Sequence, residues 1–212
     1  MPAEKDHSVY NLDVAYALVG ERLTSLDIEE QCHRSGSEYT KQDSEETATV
    51  YYLNQPYLVT FPEAKVTPAD GADLPLREQI LILHYLAQAK GTAPTNNLIT
   101  FRDLPGGIVY YPTFSKRTME PLTKYFGREP ELLVKAAERL GAHQADMGDT
   151  TIVINAFRYV PITLVLWHGD EELPPQLNLL FDANITDYLE SEDVTVLCEI
   201  VTWKLVGYSR EV

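Results

Sequence analysis

The chain has 212 residues, of which 44% are apolar and 23% are charged, a composition typical of folded globular proteins rather than disordered ones. Its net charge of −15 argues against binding to nucleic acids and to anionic membrane surfaces, because both depend on neutralising negative charge. The longest apolar run, residues 160–167, is too short to cross a bilayer, and the polar start of the sequence lacks an apolar signal region. We therefore predict a soluble, cytoplasmic protein that binds neither nucleic acid nor membrane.

The two cysteines, Cys32 and Cys198, are far apart in the sequence and belong to no Cys-x-x-Cys pair. They are too few to hold an iron–sulfur cluster or a structural zinc ion by themselves. Cys32 precedes His33, but adjacent positions on a helix do not face each other, so we do not expect a catalytic Cys–His pair. Both thiols are predicted to be reduced.

The N-terminal third of the sequence combines helical and strand patterns. An apolar stripe over residues 12–23 predicts a first helix, and a second runs from Asp27 to His33 and is closed by Gly36. Residues 47–53 and 56–61 are rich in β-branched and aromatic side chains and predict a hairpin that turns at Asn54–Gln55. Residues 61–74 are predicted to be a loop.

The next predicted helix is the most apolar segment of the chain. Asp73 is its expected cap, Pro75 lies in its first turn, and it runs to about Lys90. Because residues 80–87 are apolar on nearly all sides, this helix should lie at the centre of the core. His84 lies within it, and a buried imidazole is normally satisfied by the protein itself, the alternative being that it binds a haem-like or other metal centre.

The remaining elements complete the predicted fold. We expect a short strand at 98–101, a glycine-rich turn, an extended segment at 108–111, and helices that end at Gly127 and Gly141. Strands at 151–157 and 162–167 should pair antiparallel, and a last helix should begin at its cap Ser191, although its β-branched residues also suit a strand. This grouping predicts an α+β fold, an antiparallel sheet of hairpins packed against several helices. We expect one domain over residues 1–212, with weak boundaries only near 62–74 or 142–150.

An acidic segment is the most specific feature of the sequence. Between Tyr159 and Trp203 there is no Lys or Arg, yet the stretch holds nine carboxylates. His168 and Asp170 alternate at a predicted strand end, and Glu171 and Asp182 could join them as ligands for manganese, iron or zinc. The alternative is a solvated acidic turn in which Asp170 and Asp182 cap successive turns. An ion pair of Arg102 or Arg158 with either aspartate would favour that structural interpretation.

Aromatic side chains suggest a second kind of site. Tyrosines on predicted strands could line a pocket for a planar ligand, although such residues more often pack across strands. The candidate cofactor-binding residues are His84, Arg102, Tyr110 and Trp167.

Four motifs together resemble one family: Ile82-Leu-His-Tyr-Leu, Thr100-Phe-Arg-Asp-Leu-Pro-Gly-Gly, Leu166-Trp-His-Gly-Asp-Glu-Glu-Leu-Pro and Leu179-Leu-Phe-Asp-Ala-Asn-Ile. The chain is similar to the prokaryotic family of domain of unknown function 3786, from about Tyr10 to its last helix. Members occur mostly in anaerobes, and some carry an additional four-cysteine iron–sulfur domain of a type seen in corrinoid proteins. This chain lacks the cysteines for that domain. The resemblance implies a role in anaerobic cofactor metabolism and supplies no catalytic residues.

Three hypotheses of function follow, and whether the protein is an enzyme stays undecided. The first is a ligand-binding or accessory protein that binds a corrinoid or other tetrapyrrole, or a partner protein, in one-carbon metabolism. The second is a metal-dependent enzyme built on the acidic cluster at 168–182. The third is an acidic docking or regulatory module. The first requires a large apolar or aromatic pocket, the second converging carboxylates, and the third an exposed acidic surface with an apolar centre.

Overall fold

The computed structural model describes residues 8–211, with side chains from residue 12 onward, and the chain forms two compact units. Unit 1 comprises the chain up to Tyr51 together with Gln55–Gly91, and unit 2 comprises Tyr52–Asn54 and the chain from Thr92 onward. The division after Gly91 lies outside the two loops considered as boundaries. That the whole chain acts as one domain stays a prediction.

Unit 1 consists of three helices and most of a four-stranded sheet within the described residues. The helices are α1 (Ser8–Thr24), α2 (Ile28–Ser35) and α3 (Leu76–Gln88), and the strands are β1 (Glu38–Gln42), β2 (Glu45–Tyr52), β3 (Gln55–Phe61) and β4 (Lys65–Pro68). The strands follow one another in the sheet in chain order. The predicted hairpin is confirmed as β2–β3. The loop predicted over residues 61–74 is wrong in part, because β4 pairs antiparallel with β3 there.

The helices of unit 1 agree with the predictions at α2 and differ from them at α3 and α1. Asp27 caps α2 as expected by accepting a hydrogen bond from Glu30 N at 3.0 Å, and Gly36 closes it with φ of 67°. Asp73 does not cap α3, since Pro75 is its N-cap residue and offers no side-chain acceptor. The prediction that the apolar stripe of α1 is buried is wrong for Val14 and Leu18, which are 56% and 61% exposed.

The core of unit 1 is organised around α3, as its apolar sequence predicted. Residues 80–83 and Tyr85–Ala87 are buried, whereas His84 is only half-buried. The carbonyls of Leu86 and Ala87, in the last turn of α3, accept hydrogen bonds from Gln31 Nε2 of α2 at 2.9 and 3.2 Å. These bonds satisfy acceptors that a helix end otherwise leaves without partners, and they join α2 to α3.

Unit 2 is a five-stranded antiparallel sheet with helices. Its strands are β5 (Leu98–Thr100), β6 (His143–Gln144), β7 (Thr150–Phe157), β8 (Val160–Trp167) and β9 (Gln176–Asp182), in the order β5-β9-β8-β7-β6. Its helices are α4 (Gly107–Arg117), α5 (Met119–Phe126), α6 (Pro130–Glu138) and α7 (Ser191–Tyr208), with short 3₁₀ helices at Phe101–Asp103 and Ala183–Asp187. The α+β fold with antiparallel hairpins is therefore confirmed.

The position of β8 explains its sequence. It is the middle strand of the sheet, and Ile162–Leu166 are all buried, so both of its faces are covered and the run is continuously apolar apart from Thr163. The buried side of α7 includes Val194, Leu197 and Val201, and this helix packs against α4, α5 and α6. None of the helices in the described part of the chain combines the length and hydropathy needed to span a membrane.

Two local predictions in unit 2 are wrong. Residues 108–111 are helical rather than extended, because Gly106 adopts φ of 71° and Gly107 packs where a Cβ atom would collide with the carbonyl oxygen of Phe101. The two glycines turn the chain into α4 despite the β-branched residues that follow. The last helix is capped by Glu190 rather than Ser191, through a capping box with Asp193.

Candidate functional site: an acidic cleft beside the β8–β9 turn

The loop between β8 and β9 is folded by its own backbone and by Asp170. The Asp170 carboxylate accepts hydrogen bonds from the N–H groups of Leu173 and Glu172 at 2.7 and 2.8 Å, and Asp170 N donates to Leu173 O at 2.9 Å. The bonds from Leu173 and Glu172 hold the pKa of Asp170 below its ordinary value. The loop thus has a defined shape, although Glu171 and Glu172 are exposed.

His168 joins this loop to the start of β7. Its Nε2 lies 2.9 Å from Thr150 Oγ1, and its backbone N–H donates to Asp149 Oδ2 at 2.7 Å. Since Thr150 and Leu166 are paired across the sheet, these contacts extend the β7–β8 ladder beyond its last residues. His168 itself is exposed, so its imidazole is available to a molecule that approaches from solvent.

Two open clefts meet at His168 and Pro130. The first, about 450 Å³, lies between the start of α6 and residues 168–175 of the β8–β9 loop. The second, about 710 Å³, lies between α6 and residues 144–151. Because both are lined by His168 and Pro130, the two clefts adjoin, and we call them together the acidic cleft.

The charge of the acidic cleft is strongly unbalanced. Arg128 and Lys135 are the cations that line it. The carboxylates that line it are Glu131, Glu138, Asp146, Asp149, Asp170, Glu171 and Glu172. It also has an apolar part, since Leu173 is 63% exposed beside Pro174 and Pro175. A surface of this kind attracts cations and basic segments and repels anions.

The sequence contained a signal for one wall of the cleft that the predictions missed. Glu131, Lys135 and Glu138 recur at spacings of four and three residues, which places them on one face of α6. The other missed residues, Asp146 and Asp149, lie in a loop before β7. Their approach to α6 depends on tertiary packing, and no local pattern predicts it.

Asp182, a predicted metal ligand, does not lie with His168 and Asp170. Strand β9 separates it from the β8–β9 loop by about 20 Å at the usual rise of a strand. Its carboxylate accepts hydrogen bonds from Thr95 N and Oγ1, Asn96 N and Asn184 N at 2.7–3.0 Å. Burial raises its pKa, but these bonds outweigh burial and hold the pKa below its ordinary value. Asp170 and Asp182 thus each cap a turn, as the structural alternative proposed, but Asp182 is buried rather than solvated.

The structure offers no support for a metal ion in this region. Within residues 8–211 no group of three or more His, Cys, Asp or Glu side chains is placed to hold one. Nor do the ion pairs of the described residues join Arg102 or Arg158 to Asp170 or Asp182. Metal binding by His168, Asp170, Glu171 and Asp182 stays a prediction.

The four candidate cofactor residues are distributed over the chain. His84 belongs to unit 1, whereas Arg102, Tyr110 and Trp167 belong to unit 2. Arg102 lies over the ring of Tyr111, with 3.8 Å between its Cζ and the ring centroid. Tyr110 and Trp167 are 43% and 39% exposed, at the start of α4 and the end of β8. Trp167 is therefore partly accessible at the start of the loop between β8 and β9, whereas Phe181 in β9 is fully buried.

The cysteines are poor candidates for nucleophilic chemistry. Cys32 and Cys198 are both buried and free. Burial, together with Glu29, raises the pKa of Cys32 to about 12, and burial raises that of Cys198 as well. A thiol reacts as its thiolate, so both should be inert in the folded protein.

Comparison with known proteins decides the family. The model for the domain of unknown function (DUF3786) matches residues 27–203. The chain belongs to this family. The matched segment includes every residue that lines the acidic cleft, so the cleft is part of the DUF3786 domain. No curated protein matches the chain, and no solved structure matches it either.

Proposed function

We propose that this DUF3786 protein is an accessory module that binds a basic segment of a partner protein in its acidic cleft. The single observation that carries the proposal is the charge of the acidic cleft, where seven carboxylates and two cations line two adjoining open clefts. A lysine- or arginine-rich segment would complement this charge, and charge complementarity speeds association and excludes acidic partners.

The apolar part of the cleft supports a protein partner rather than a free cation. Exposed Leu173, beside Pro174 and Pro175, offers a surface on which an apolar side chain of the partner could be buried. Interfaces commonly combine such an apolar anchor with a charged rim. His168, which lies where the two parts of the cleft meet, can donate or accept a hydrogen bond there.

The other hypotheses have less support. A tetrapyrrole calls for a deep, mainly apolar cavity, whereas the two parts of the acidic cleft are open and lined largely by polar residues. A role in corrinoid or one-carbon metabolism therefore rests on family resemblance alone. The metal-dependent enzyme lacks a converging set of ligands among the described residues.

The test uses two synthetic probes of equal length, Lys-Lys-Leu-Lys-Lys-Leu-Lys and its counterpart in which glutamate replaces every lysine. We expect the lysine peptide to bind the protein, with an affinity that falls as salt rises, and the glutamate peptide not to bind. Fluorescence anisotropy of labelled peptides at several salt concentrations measures both.

A matched pair of variants locates the binding. Glu171→Lys with Glu172→Lys reverses two charges in the cleft, and Glu63→Lys with Asp73→Lys reverses two exposed charges in unit 1. Both variants have the same net charge. The first should weaken binding of the lysine peptide at least tenfold and the second much less. Equal losses would mean general attraction to an acidic protein, and no loss in the first would show that the cleft is not the site.

A further inference from the structure

A further groove adjoins the acidic cleft at Pro175, which lines both. It has a volume of about 410 Å³ and lies between β9 and the helices α4 and α5, so we call it the α4–α5 groove. On the β9 side it is lined by Gln176, Leu177 and Asn178. A chain that leaves the acidic cleft past Pro175 therefore reaches this groove next.

Two glycines hold Pro175 in place between the cleft and the groove. A Cβ atom on Gly127, at the end of α5, would lie 2.6 Å from one side-chain carbon of Pro175, and a Cβ atom on Gly169 would lie 2.6 Å from another. Neither position can carry a side chain without displacing the proline. No side chain of residue 127 or 169 therefore stands between the cleft and the groove, and Pro175 forms a fixed boundary that both share.

The lining of the α4–α5 groove differs from that of the cleft. Its helical side is formed by residues that recur every four positions along α4 and α5, namely Tyr111, Ser115, Met119 and Thr123. Met119 and Leu177 are only 6% and 4% exposed, so they provide an apolar floor. The charged residues that line the groove, Glu120 and Lys124, are of opposite sign. The groove thus suits a neutral, apolar side chain, whereas the cleft suits cations.

We propose that the partner segment is bipartite: its basic part occupies the acidic cleft, and a large apolar side chain at one end, such as phenylalanine, is buried in the α4–α5 groove. This inference rests on the proposed function, because it specifies the partner of the same site. Charge alone accepts any basic segment. The groove adds selection for segments in which an apolar residue follows the lysines or arginines at a fixed distance, and burial of that residue is not screened by salt.

The first test extends the lysine peptide at either end by a spacer of one to six glycine or serine residues and a terminal phenylalanine. We expect extension at one end, with a narrow range of spacer lengths, to raise the affinity at least tenfold over the same peptide ending in serine. The ratio of the two affinities should stay constant as salt rises. Fluorescence anisotropy measures it. A gain that is the same at both ends and for every spacer would mean general adsorption of phenylalanine and would overturn the proposal.

The methionines of the chain report on the two sites separately. Of its three methionines, Met119 lines the α4–α5 groove, and Met147 is 38% exposed between residues that line the acidic cleft. In protein labelled with carbon-13 at the methionine methyl groups, the lysine peptide should shift the Met147 signal alone, and the phenylalanine peptide should shift both signals. Shifts of Met147 alone with both peptides would overturn the bipartite segment and leave the proposed function standing. If neither signal shifts with either peptide, both proposals fail.

Variants locate the apolar anchor. Ser115→Trp should fill the groove and remove the gain from phenylalanine, while binding of the unextended lysine peptide stays unchanged. Ser115→Ala, the control for loss of the hydroxyl, should keep the gain. Thr123→Trp fills the groove from α5 and replaces Ser115→Trp if that variant does not fold, as judged by circular dichroism. A gain from phenylalanine that survives in a folded groove-filling variant would show that the side chain binds elsewhere.

Discussion

Two aspartates of the acidic segment show how differently one residue type can be used. Asp170 lies in an exposed turn and accepts two backbone N–H groups, whereas Asp182 is 3% exposed and accepts hydrogen bonds from three residues. Nearby, Tyr188 Oη and Asn184 Nδ2 donate to Thr92 O at 2.6 and 3.2 Å. Side chains at the end of β9 and just after it, from Asp182, Asn184 and Tyr188, therefore hold the segment from Thr92 to Asn96.

We expect Asp182→Asn to destabilise unit 2 by about 2–4 kcal/mol, because a buried charged acceptor is replaced by an amide that cannot accept all of the same hydrogen bonds. Asp170→Asn is the control, since it makes the same change in an exposed turn and should have a much smaller effect. Urea unfolding monitored by circular dichroism measures both. Equal effects would show that the bonds of Asp182 contribute little.

The same aspartate gives a dependence on pH with a definite sign. The fold lowers the pKa of Asp182, so its contribution to stability is fully present above the pKa of an unfolded aspartate, about 3.9, and is lost as pH falls through the lower folded value. The difference in unfolding free energy between the wild type and Asp182→Asn should therefore be constant from pH 7 to about 5 and shrink below pH 4. A difference that grows on acidification would contradict this assignment.

At the scale of elements, glycine decides where α4 begins. Residues 108–111 have the β-branched and aromatic character of a strand, yet they form the first turn of a helix in which Ile108 and Val109 are 76% and 87% exposed. Local propensity is a weak determinant compared with the tight entry that Gly106 and Gly107 allow.

Replacing Gly107 should show this directly. Gly107→Ala should destabilise the protein by about 1–3 kcal/mol, because the new methyl group would meet the backbone carbonyl of Phe101. Gly207→Ala in α7 is the matched control: its Cβ would meet nothing within 4 Å, and alanine should stabilise that helix by about 0.5–1 kcal/mol. Thermal melts of the two variants should shift in opposite directions, and a shift in the same direction would refute the steric explanation.

The difference between local sequence preference and tertiary packing also explains which helices and strands the sequence could predict. Periodicity and turn residues placed α2, α3, the β2–β3 hairpin and the β7–β8 pair, because each is specified by residues close together in the chain. Strands β1, β4 and β9 were missed, since β1 and β4 are short or largely exposed and β9 contains polar residues within an acidic region. The loop between β8 and β9 was recognised from its acidic composition. Its position beside α6 depends on tertiary packing, which no local sequence pattern specifies.

At the scale of the whole molecule, the dominant property is net negative charge. A chain with a charge of −15 repels itself when compact. Ion pairs such as Arg34–Glu30 and Lys41–Glu46 join partly exposed side chains and contribute little. The acidic cleft concentrates part of this charge on one surface of unit 2.

Screening should therefore stabilise the protein. We expect the melting temperature to rise by a few degrees as NaCl is increased from 10 to 200 mM, since in a chain with a net charge of −15 the repulsion between exposed carboxylates that salt weakens exceeds the attraction that it weakens. Differential scanning fluorimetry measures the shift, and sucrose at equal osmolality serves as the control for general solute effects. A melting temperature that falls with NaCl would mean that the ion pairs outweigh the repulsion.

The two buried cysteines allow the unfolding of each unit to be followed by chemical labelling of its thiol. One thiol, Cys32, belongs to unit 1 and the other, Cys198, to unit 2. A maleimide added in short pulses during denaturation would mark each thiol only when the unit around it opens, and peptide mass spectrometry would read the two marks separately. Simultaneous labelling would indicate a single cooperative transition, and labelling at different denaturant concentrations would indicate two. The native chain can report this without any substitution.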